Sequence, residues 1–218
     1  MSFIYEYPRP SGTLDAALIS LADVKPMIML IKRGHDPFAG QWALPGGFLE
    51  MDEEPVDGAM RELAEETCLT GIVLRPLFAC GQTGRDPRGR TLTMVFGALV
   101  DPIRCGEAKG SDDAAEASWH FLDAPPPMAF DHGRVLRQIA SHLRWQASTA
   151  LIGSCLLGPE TSEDALIQLH RRALGKHEIE SPLDRGIRLG LLERGSAKGL
   201  WRFVSSSEPG PDWSPLVW

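Results

Sequence analysis

The chain has 218 residues, of which 43% are hydrophobic and 23% charged, and its formal net charge is −7. This composition is typical of a globular protein with one large domain, or with one domain and a small appendage. The longest strongly apolar run, residues 27–31, is too short to cross a bilayer, and the first residues lack a secretory-signal pattern. The negative charge argues against an obligate nucleic-acid binder, although a bound cation can reverse the field locally.

The cysteines are scattered, with no Cys-x-x-Cys pair: Cys68, Cys80, Cys105 and Cys155. Scattered thiols in a chain of this length favour reduced side chains over a disulfide framework or a zinc site. We therefore expect a cytoplasmic protein with no membrane partner.

The first part of the chain alternates strands and helices. Strands are predicted at residues 13–22, 26–32, 42–44, 71–79, 91–100 and 118–122, with loops at 81–90 and 106–116. A helix is predicted within residues 53–69, and Asp131 is placed to cap another, with Val135, Leu136, Ile139 and Leu143 on one face. This order predicts an α/β fold with a mixed sheet between helices.

The composition changes near residues 153–160, which we interpret as a linker between a domain at 1–152 and another at 161–218. Thr161 or Ser162 can cap a helix that ends at Gly175, and Ser181 with Pro182 predicts a second helix start. Residues 191–204 predict a hairpin. The order helix, helix, hairpin is typical of a winged helix.

Residues 46–69, GGFLEMDEEPVDGAMRELAEETCL, carry the strongest chemical signal. Glu62, Glu65 and Glu66 are spaced i, i+3 and i+4, so a helix places their like charges on one patch. Arg61 is expected to project to a different side and to compensate only part of that charge. A divalent cation bound by oxygen ligands explains the cluster, and the alternative is a solvated acidic helix face.

This segment resembles the Nudix box of the Nudix hydrolases through the spacing Gly47-x5-Glu53-x7-Arg61-Glu62-Leu63-x-Glu65-Glu66-x2-Leu69. The resemblance implies an α/β/α sandwich in which Mg²⁺ or Mn²⁺ is bound by three glutamates and approached by a carbonyl of Gly46 or Gly47. By the same resemblance Arg61 and Glu53 fix the loop to the helix, and water attacks a diphosphate phosphorus. Cys68 stands where the family usually has a glycine, which suggests an altered helix end and an intact metal site.

Two flanking segments, residues 38–48 and 84–90, look like those of ADP-ribose pyrophosphatases and of related Nudix-core regulators of NAD metabolism. Cations on the second segment suit phosphates or ribose hydroxyls, and the alternative is a solvated turn. Aromatic rings on the first can stack on adenine, and the alternative is burial in the core. The substrate-binding candidates are Arg85, Asp86, Arg88, Arg90, Trp42 and Phe38.

The general base is expected in the acidic stretch 111–117, and Glu116 is the first candidate ahead of Asp112 and Asp113. A solvated acidic loop is the alternative for each of them. His35, His120 and His132 show no ligand spacing, so we interpret them as structural.

A Nudix core followed by a winged helix also resembles NAD-metabolism repressors that sense ADP-ribose and bind DNA. Three features weigh against a repressor. The chain is acidic, the second C-terminal helix starts with Pro182 and Asp184, and all the glutamates of the proposed metal site are present. The sequence favours a Mg²⁺-dependent hydrolase that converts ADP-ribose to AMP and ribose 5-phosphate. The alternatives are the ADP-ribose-sensing regulator and a nucleoside triphosphate hydrolase, and the resemblance also implies a homodimer.

Overall fold

The computed structural model describes residues 6–105, 108, 110, 114–175 and 181–204. Its strands are β1 (Ser11–Ser20), β2 (Met27–Arg33), β3 (Trp42–Ala43), β4 (Gly46–Phe48), β5 (Arg75–Cys80), β6 (Thr91–Leu99), β7 (Ala114–Phe121), β8 (Glu160–Ser162), β9 (Leu192–Arg194) and β10 (Leu200–Phe203). Its helices are α1 (Pro55–Thr67), α2 (Pro102–Cys105), α3 (His132–Thr149), α4 (Ser154–Leu157), α5 (Glu163–Leu174) and α6 (Pro182–Arg188). Within those ranges, no helix has the length and apolar character that a membrane span requires.

The main sheet is mixed and has seven strands. Its central path is β3-β2-β1-β6-β5, with β4 added to β1 and β7 added to β2. The β1–β6 pair is parallel, whereas the other pairs are antiparallel. The first half of β1 pairs with β4 and its last residues pair with β2, so the glycine-rich segment before α1 lies against the middle of the sheet.

Both faces of the sheet are covered, because its central strands are apolar at consecutive positions. Leu14, Ala16 and Leu18 of β1 pack into the core beneath α1. Ala17 and Ile19, which alternate with them, pack into the core beneath α3 and α5. The predicted α/β/α sandwich is therefore confirmed, and β2 is buried on both faces.

Helix α3 begins where it was predicted, and Asp131 occupies its N-cap position without capping it. Its side chain makes no capping hydrogen bond to the helix. It accepts instead from the guanidinium of Arg85, whose Nη2 lies 2.9 Å from Asp131 Oδ1. A tertiary ion pair therefore replaces the local capping bond that the sequence pattern indicated.

The C-terminal residues form the predicted winged-helix-like unit. Its antiparallel sheet has the order β8-β10-β9, with α5 and α6 between β8 and β9 in the chain. Ser162 and Ser181 cap the two helices by accepting from Ala165 N at 3.2 Å and from Asp184 N at 3.4 Å. Part of α5 also packs into the core beneath α3, through the residues Leu169, Ala173 and Leu174. The unit therefore shares a core with the large domain.

Several element bounds differ from the prediction. β1 starts and ends two residues earlier, β5 starts only at Arg75, and β7 extends back to Ala114 through the end of the predicted loop. The predicted linker contains α4, and β4 and β8 were not predicted. These strands of three residues carry no period of their own, so pairing with β1 or β10 decides their conformation.

Candidate functional site

Helix α1 presents the acidic residues to one side of the sheet. Pro55 is at its first turn, and Ala59 and Leu63 are buried against the core beneath it. The helix ends after Thr67, where Cys68 adopts a left-handed conformation with φ 60°. The altered C-cap inferred from the sequence is thus a non-glycine residue in a backbone conformation that favours glycine.

Arg61 binds the acidic residues around it, so the expectation that it projects away from them is wrong. Its Nη2 lies 2.8 Å from Glu53 Oε1, and its Nη1 lies 2.8 Å from Glu62 Oε1 and 3.2 Å from Glu65 Oε2. The loop after β4 forces this arrangement, because Glu53 arrives from outside the helix and draws the guanidinium across its surface. Arg61 therefore fixes the loop against the helix, as the family resemblance implied.

Glu66 takes a different role from Glu62 and Glu65. Its side chain is buried, and its Oε2 accepts a hydrogen bond of 2.8 Å from Gly46 N. A Cβ on Gly46 would lie 2.0 Å from the carbonyl oxygen of Leu14, so only glycine lets β4 approach β1 this closely. The backbone of residue 46 is therefore part of the site, and the atom seen in contact is its amide rather than its carbonyl.

Burial dominates the electrostatics of these carboxylates. It raises the pKa of Glu66 to about 8, although the hydrogen bond from Gly46 partly opposes the shift. It also raises the pKa of Glu62, against the lowering effect of Arg61. The pKa of Glu53 is lowered because Arg61 and the amide of Glu50 donate to it. Without a cation beside them, burial thus disfavours the charged forms of Glu62 and Glu66.

The chemistry of this donor set fits a hard divalent cation. Carboxylate oxygens are the preferred protein ligands of Mg²⁺ and Mn²⁺, and a cation would relieve the burial cost of Glu62 and Glu66. Among the described residues no three acidic, His or Cys side chains are already gathered as a ligand group. Arg61 holds Glu62 and Glu65, and the amide of Gly46 holds Glu66. The metal assignment to Glu62, Glu65 and Glu66 stays a prediction.

These residues form one wall of a pocket with a cavity volume of about 330 Å³. That volume is at the lower end of the range for small-molecule sites. The rest of the lining comes from β1, the end of β2 and the loop after it, the loop 81–90 and the start of α3, and its cationic wall consists of Arg33, Arg85 and Arg88. An acidic wall and a cationic wall thus line the same pocket, an arrangement that suits a phosphorylated ligand with a cation beside it.

The floor of the pocket is a buried polar cluster that sequence reasoning missed. Asp15 Oδ2 accepts from Thr93 Oγ1 at 2.7 Å and lies 3.9 Å from Arg85 Nη2. His132 Nδ1 accepts from Leu44 N at 3.0 Å, so its proton is on Nε2, 3.6 Å from Asp15 Oδ1. Burial lowers the pKa of His132 and keeps it neutral. The one available signal was an acid inside an otherwise apolar strand.

Three of the predicted substrate-binding residues line the pocket, in partly different states from those expected. Arg85 is buried and tied to Asp131, so it is not on a solvated turn. Arg88 is more exposed, pairs with Asp86 at 2.8 Å, and lies 5.0 Å from the ring centre of Phe48. The loop 81–90 is therefore part of the pocket wall, held there by ion pairs.

The other predicted residues lie outside the pocket. Arg90 donates to the carbonyls of Gly81 and Thr91, and Phe38 packs edge-on against Phe130. Trp42 packs against His120 with ring centres 4.3 Å apart, as in the core alternative. Glu116 is exposed on β7 opposite Lys32. Asp112 and Asp113 lie outside the described residues.

The fold and the site together define a class of protein. It is an α/β/α sandwich whose glycine-rich loop and acidic helix α1 line a pocket together with cationic residues.

The NUDIX domain model matches residues 13–139, and the chain belongs to this family. The chain is 41% identical over 119 residues to the ADP-ribose pyrophosphatase of Methanocaldococcus jannaschii, covering 55% of this chain and 67% of that one. It is 29% identical over 194 residues to the ADPR responsive transcriptional repressor NtrR of Acinetobacter baylyi, covering 87% and 75%.

A solved structure extends the similarity to the C-terminal unit. Shewanella oneidensis NrtR complexed with a 27mer DNA superimposes with a TM-score of 0.69 at 27% identity, covering 88% of this chain and 93% of that one. The NUDIX domain of the same protein, complexed with ADP ribose, superimposes with a TM-score of 0.57 at 29% identity, covering 63% and 90%. The similarity thus includes both the pocket and the winged-helix-like unit.

Proposed function

We propose that this protein binds ADP-ribose in the Nudix pocket and DNA through its C-terminal unit, as a ligand-responsive transcriptional regulator. The observation that carries the proposal is the winged-helix-like unit, which packs against the same helix α3 that borders the pocket. The sequence alone favoured a hydrolase. Support for the regulator comes from the relatives, because the repressor aligns over 87% of the chain and the pyrophosphatase over 55%.

The pocket supplies contacts for the base and the diphosphate of ADP-ribose. The guanidinium of Arg88 lies 5.0 Å from the ring centre of Phe48 and 5.5 Å from that of Phe130. A planar base can stack on either ring, which replaces the predicted stacking on Phe38 and Trp42. The diphosphate then lies between the cationic wall and the acidic helix, where a divalent cation would screen it from Glu62 and its neighbours.

Only some of the basic residues of the C-terminal unit are placed where they can contact DNA. Arg172 donates to the carbonyl of Leu21, and Arg185 is buried, so both face the large domain. Arg188 on α6 is exposed, as are Arg194 and Lys198 on the β9–β10 hairpin. These three side chains are the phosphate contacts that we propose.

Fluorescence anisotropy with a labelled duplex from the upstream region of the protein's own gene tests the regulator. We expect binding that weakens with salt and that ADP-ribose reverses. Arg188→Ala should lower the slope of log affinity against log salt by about 1. Arg144→Ala, which removes an exposed charge from α3, is the matched control and should leave the slope unchanged. If the wild-type protein does not bind this duplex, the proposal fails.

A second function, hydrolysis of ADP-ribose to AMP and ribose 5-phosphate, is favoured by the intact set of α1 glutamates on the pocket wall. A divalent cation bound there would lower the pKa of an attacking water and neutralise charge on the diphosphate. Arg61 would orient Glu62 and Glu65, and Gly46 N would orient Glu66. The two functions are compatible in one chain, since they use the same ligand.

Product analysis with Mg²⁺ and ADP-ribose tests the hydrolase. Glu65→Gln and Glu66→Gln should lower kcat by about 10²-fold or more while the protein stays folded. Glu116→Gln tests the first of the base candidates, and an unchanged kcat would remove that assignment. If both α1 variants turn over at the wild-type rate, the metal assignment is wrong.

A further inference from the structure

Helix α3 is anchored in the pocket by three consecutive residues at its start. The ring of Phe130 lies 5.0 Å from the guanidinium of Arg33, and Asp131 accepts from Arg85. His132 accepts from the amide of Leu44. The position of the first turn of α3 therefore depends on the positions of the pocket residues that it contacts.

The other end of the same helix is held by the C-terminal unit. Arg185 of α6 is 1% exposed, and its Nη1 donates to the carbonyl oxygens of Ala147 and Ala150, the latter at 3.1 Å. His170 of α5 donates from Nδ1 to the same Ala147 oxygen at 3.1 Å. Both side chains thus bind the negative end of the helix dipole, where a cation is favoured.

Helix α3 joins these two sites as a rigid body. Its 18 residues span about 27 Å at 1.5 Å per residue. Its buried face, which includes Val135, Ile139 and Leu143, packs into the core beneath the sheet. A displacement at the pocket end is then transmitted along the helix, because a packed helix moves as a unit more readily than it bends.

From this arrangement we propose that Arg185 couples the pocket to the C-terminal unit through α3. A diphosphate in the pocket competes with Asp131 for the guanidinium of Arg85, which shifts the first turn of α3. The shift displaces the carbonyls of Ala147 and Ala150, and with them Arg185 and α6. Arg185 is a positioning residue that contacts neither ligand nor DNA. The inference rests on the proposed binding of ADP-ribose.

Hydrogen–deuterium exchange of the full chain, with and without saturating ADP-ribose and Mg²⁺, tests the coupling. In the wild type we expect ADP-ribose to change amide exchange in α5 and α6 by at least about fivefold. Arg185→Lys keeps the charge but cannot donate to both carbonyl oxygens at once, so it should reduce that change severalfold. The dissociation constant of ADP-ribose should stay within about threefold of the wild-type value. Arg144→Met on the exposed face of α3 is the matched control and should keep the full response.

Arg185→Met, which removes the charge, is a second variant in case the lysine restores the contact. If both substitutions keep the wild-type exchange response, or if the wild type binds ADP-ribose without any change in α5 and α6, the coupling is wrong while the proposed binding stands. If calorimetry shows no binding of ADP-ribose to the wild type, the proposed function and the coupling both fail. Circular dichroism identifies a variant that fails to fold, and the other variant then decides.

Discussion

Replacing Cys68 by glycine should stabilise the protein. The residue ends α1 with φ 60° and ψ 11°, and its amide donates to the carbonyl of Ala64 at 2.9 Å. For a residue with a Cβ this left-handed conformation costs about 1–2 kcal/mol. Glycine adopts it without that cost, and the exposed side chain of Cys68 contributes no burial that would be lost.

The entropy of the unfolded chain opposes part of this gain. A glycine has more unfolded conformations to lose, which costs about 0.4–1 kcal/mol. The net expectation for Cys68→Gly is an increase of about 0.5–1 kcal/mol in the free energy of unfolding. For a chain of this length the thermal midpoint should rise by about 1–4 °C.

Urea unfolding and differential scanning calorimetry measure this effect, with Cys68→Ala as the matched control. Alanine removes the thiol but keeps the Cβ, so it should leave the backbone cost in place. Equal free energies of unfolding for the glycine and alanine variants would refute the argument from left-handed geometry. Mg²⁺ binding should be the same in both, because Cys68 does not line the pocket.

Three further outcomes are expected. Because the folded pKa of Glu66 is about 8 against an ordinary 4.5, its contribution to the stability of the metal-free protein is full below pH 4.5 and is lost as the pH rises to 8. The thermal shift caused by Mg²⁺ should grow over the same range, and Glu66→Gln should flatten both curves in a pH series of thermal melts. Asp131→Ala should lower the free energy of unfolding by about 3 kcal/mol, because Arg85 stays buried without its bidentate partner. In the same urea titration the control Asp123→Ala, which removes an exposed ion pair, should lower it by at most about 1 kcal/mol. Gly47→Ala should weaken Mg²⁺ binding in calorimetry, because the added Cβ would lie 2.2 Å from an α1 carboxylate oxygen, and unchanged affinity would remove this loop from the metal site.

The repressor aligns over more of this chain than the pyrophosphatase does, whereas sequence reasoning ranked the hydrolase ahead of the regulator. Sequence reasoning favoured the enzyme partly because the chain is acidic and α6 begins with Pro182 and carries Asp184. In the structure Pro182 is buried in the C-terminal unit, and Arg188 is exposed at the other end of α6. The overall charge therefore gives little information about the small surface that would contact DNA.

The sequence by itself determined the family and the layers of the fold. The spacing of Gly47, Arg61 and the α1 glutamates predicts a loop and one helix, and such a local pattern can be recognised without tertiary information. The apolar run in β2 is typical of a strand covered on both faces, because side-chain direction alternates along every strand. The C-terminal helices were predicted from another local signal, because Ser162 and Ser181 cap them.

Only the tertiary structure decided which charged groups meet. Asp15, Arg85 and His132 come from distant parts of the chain and form one buried cluster, and no local spacing relates them. Arg61 turns toward the acids because Glu53 reaches it from the preceding loop. Arg185 is buried against the end of α3, and nothing near it in the sequence indicates that contact. The orientation of a long charged side chain depends on partners that are remote in sequence, and these partners are known only from the fold.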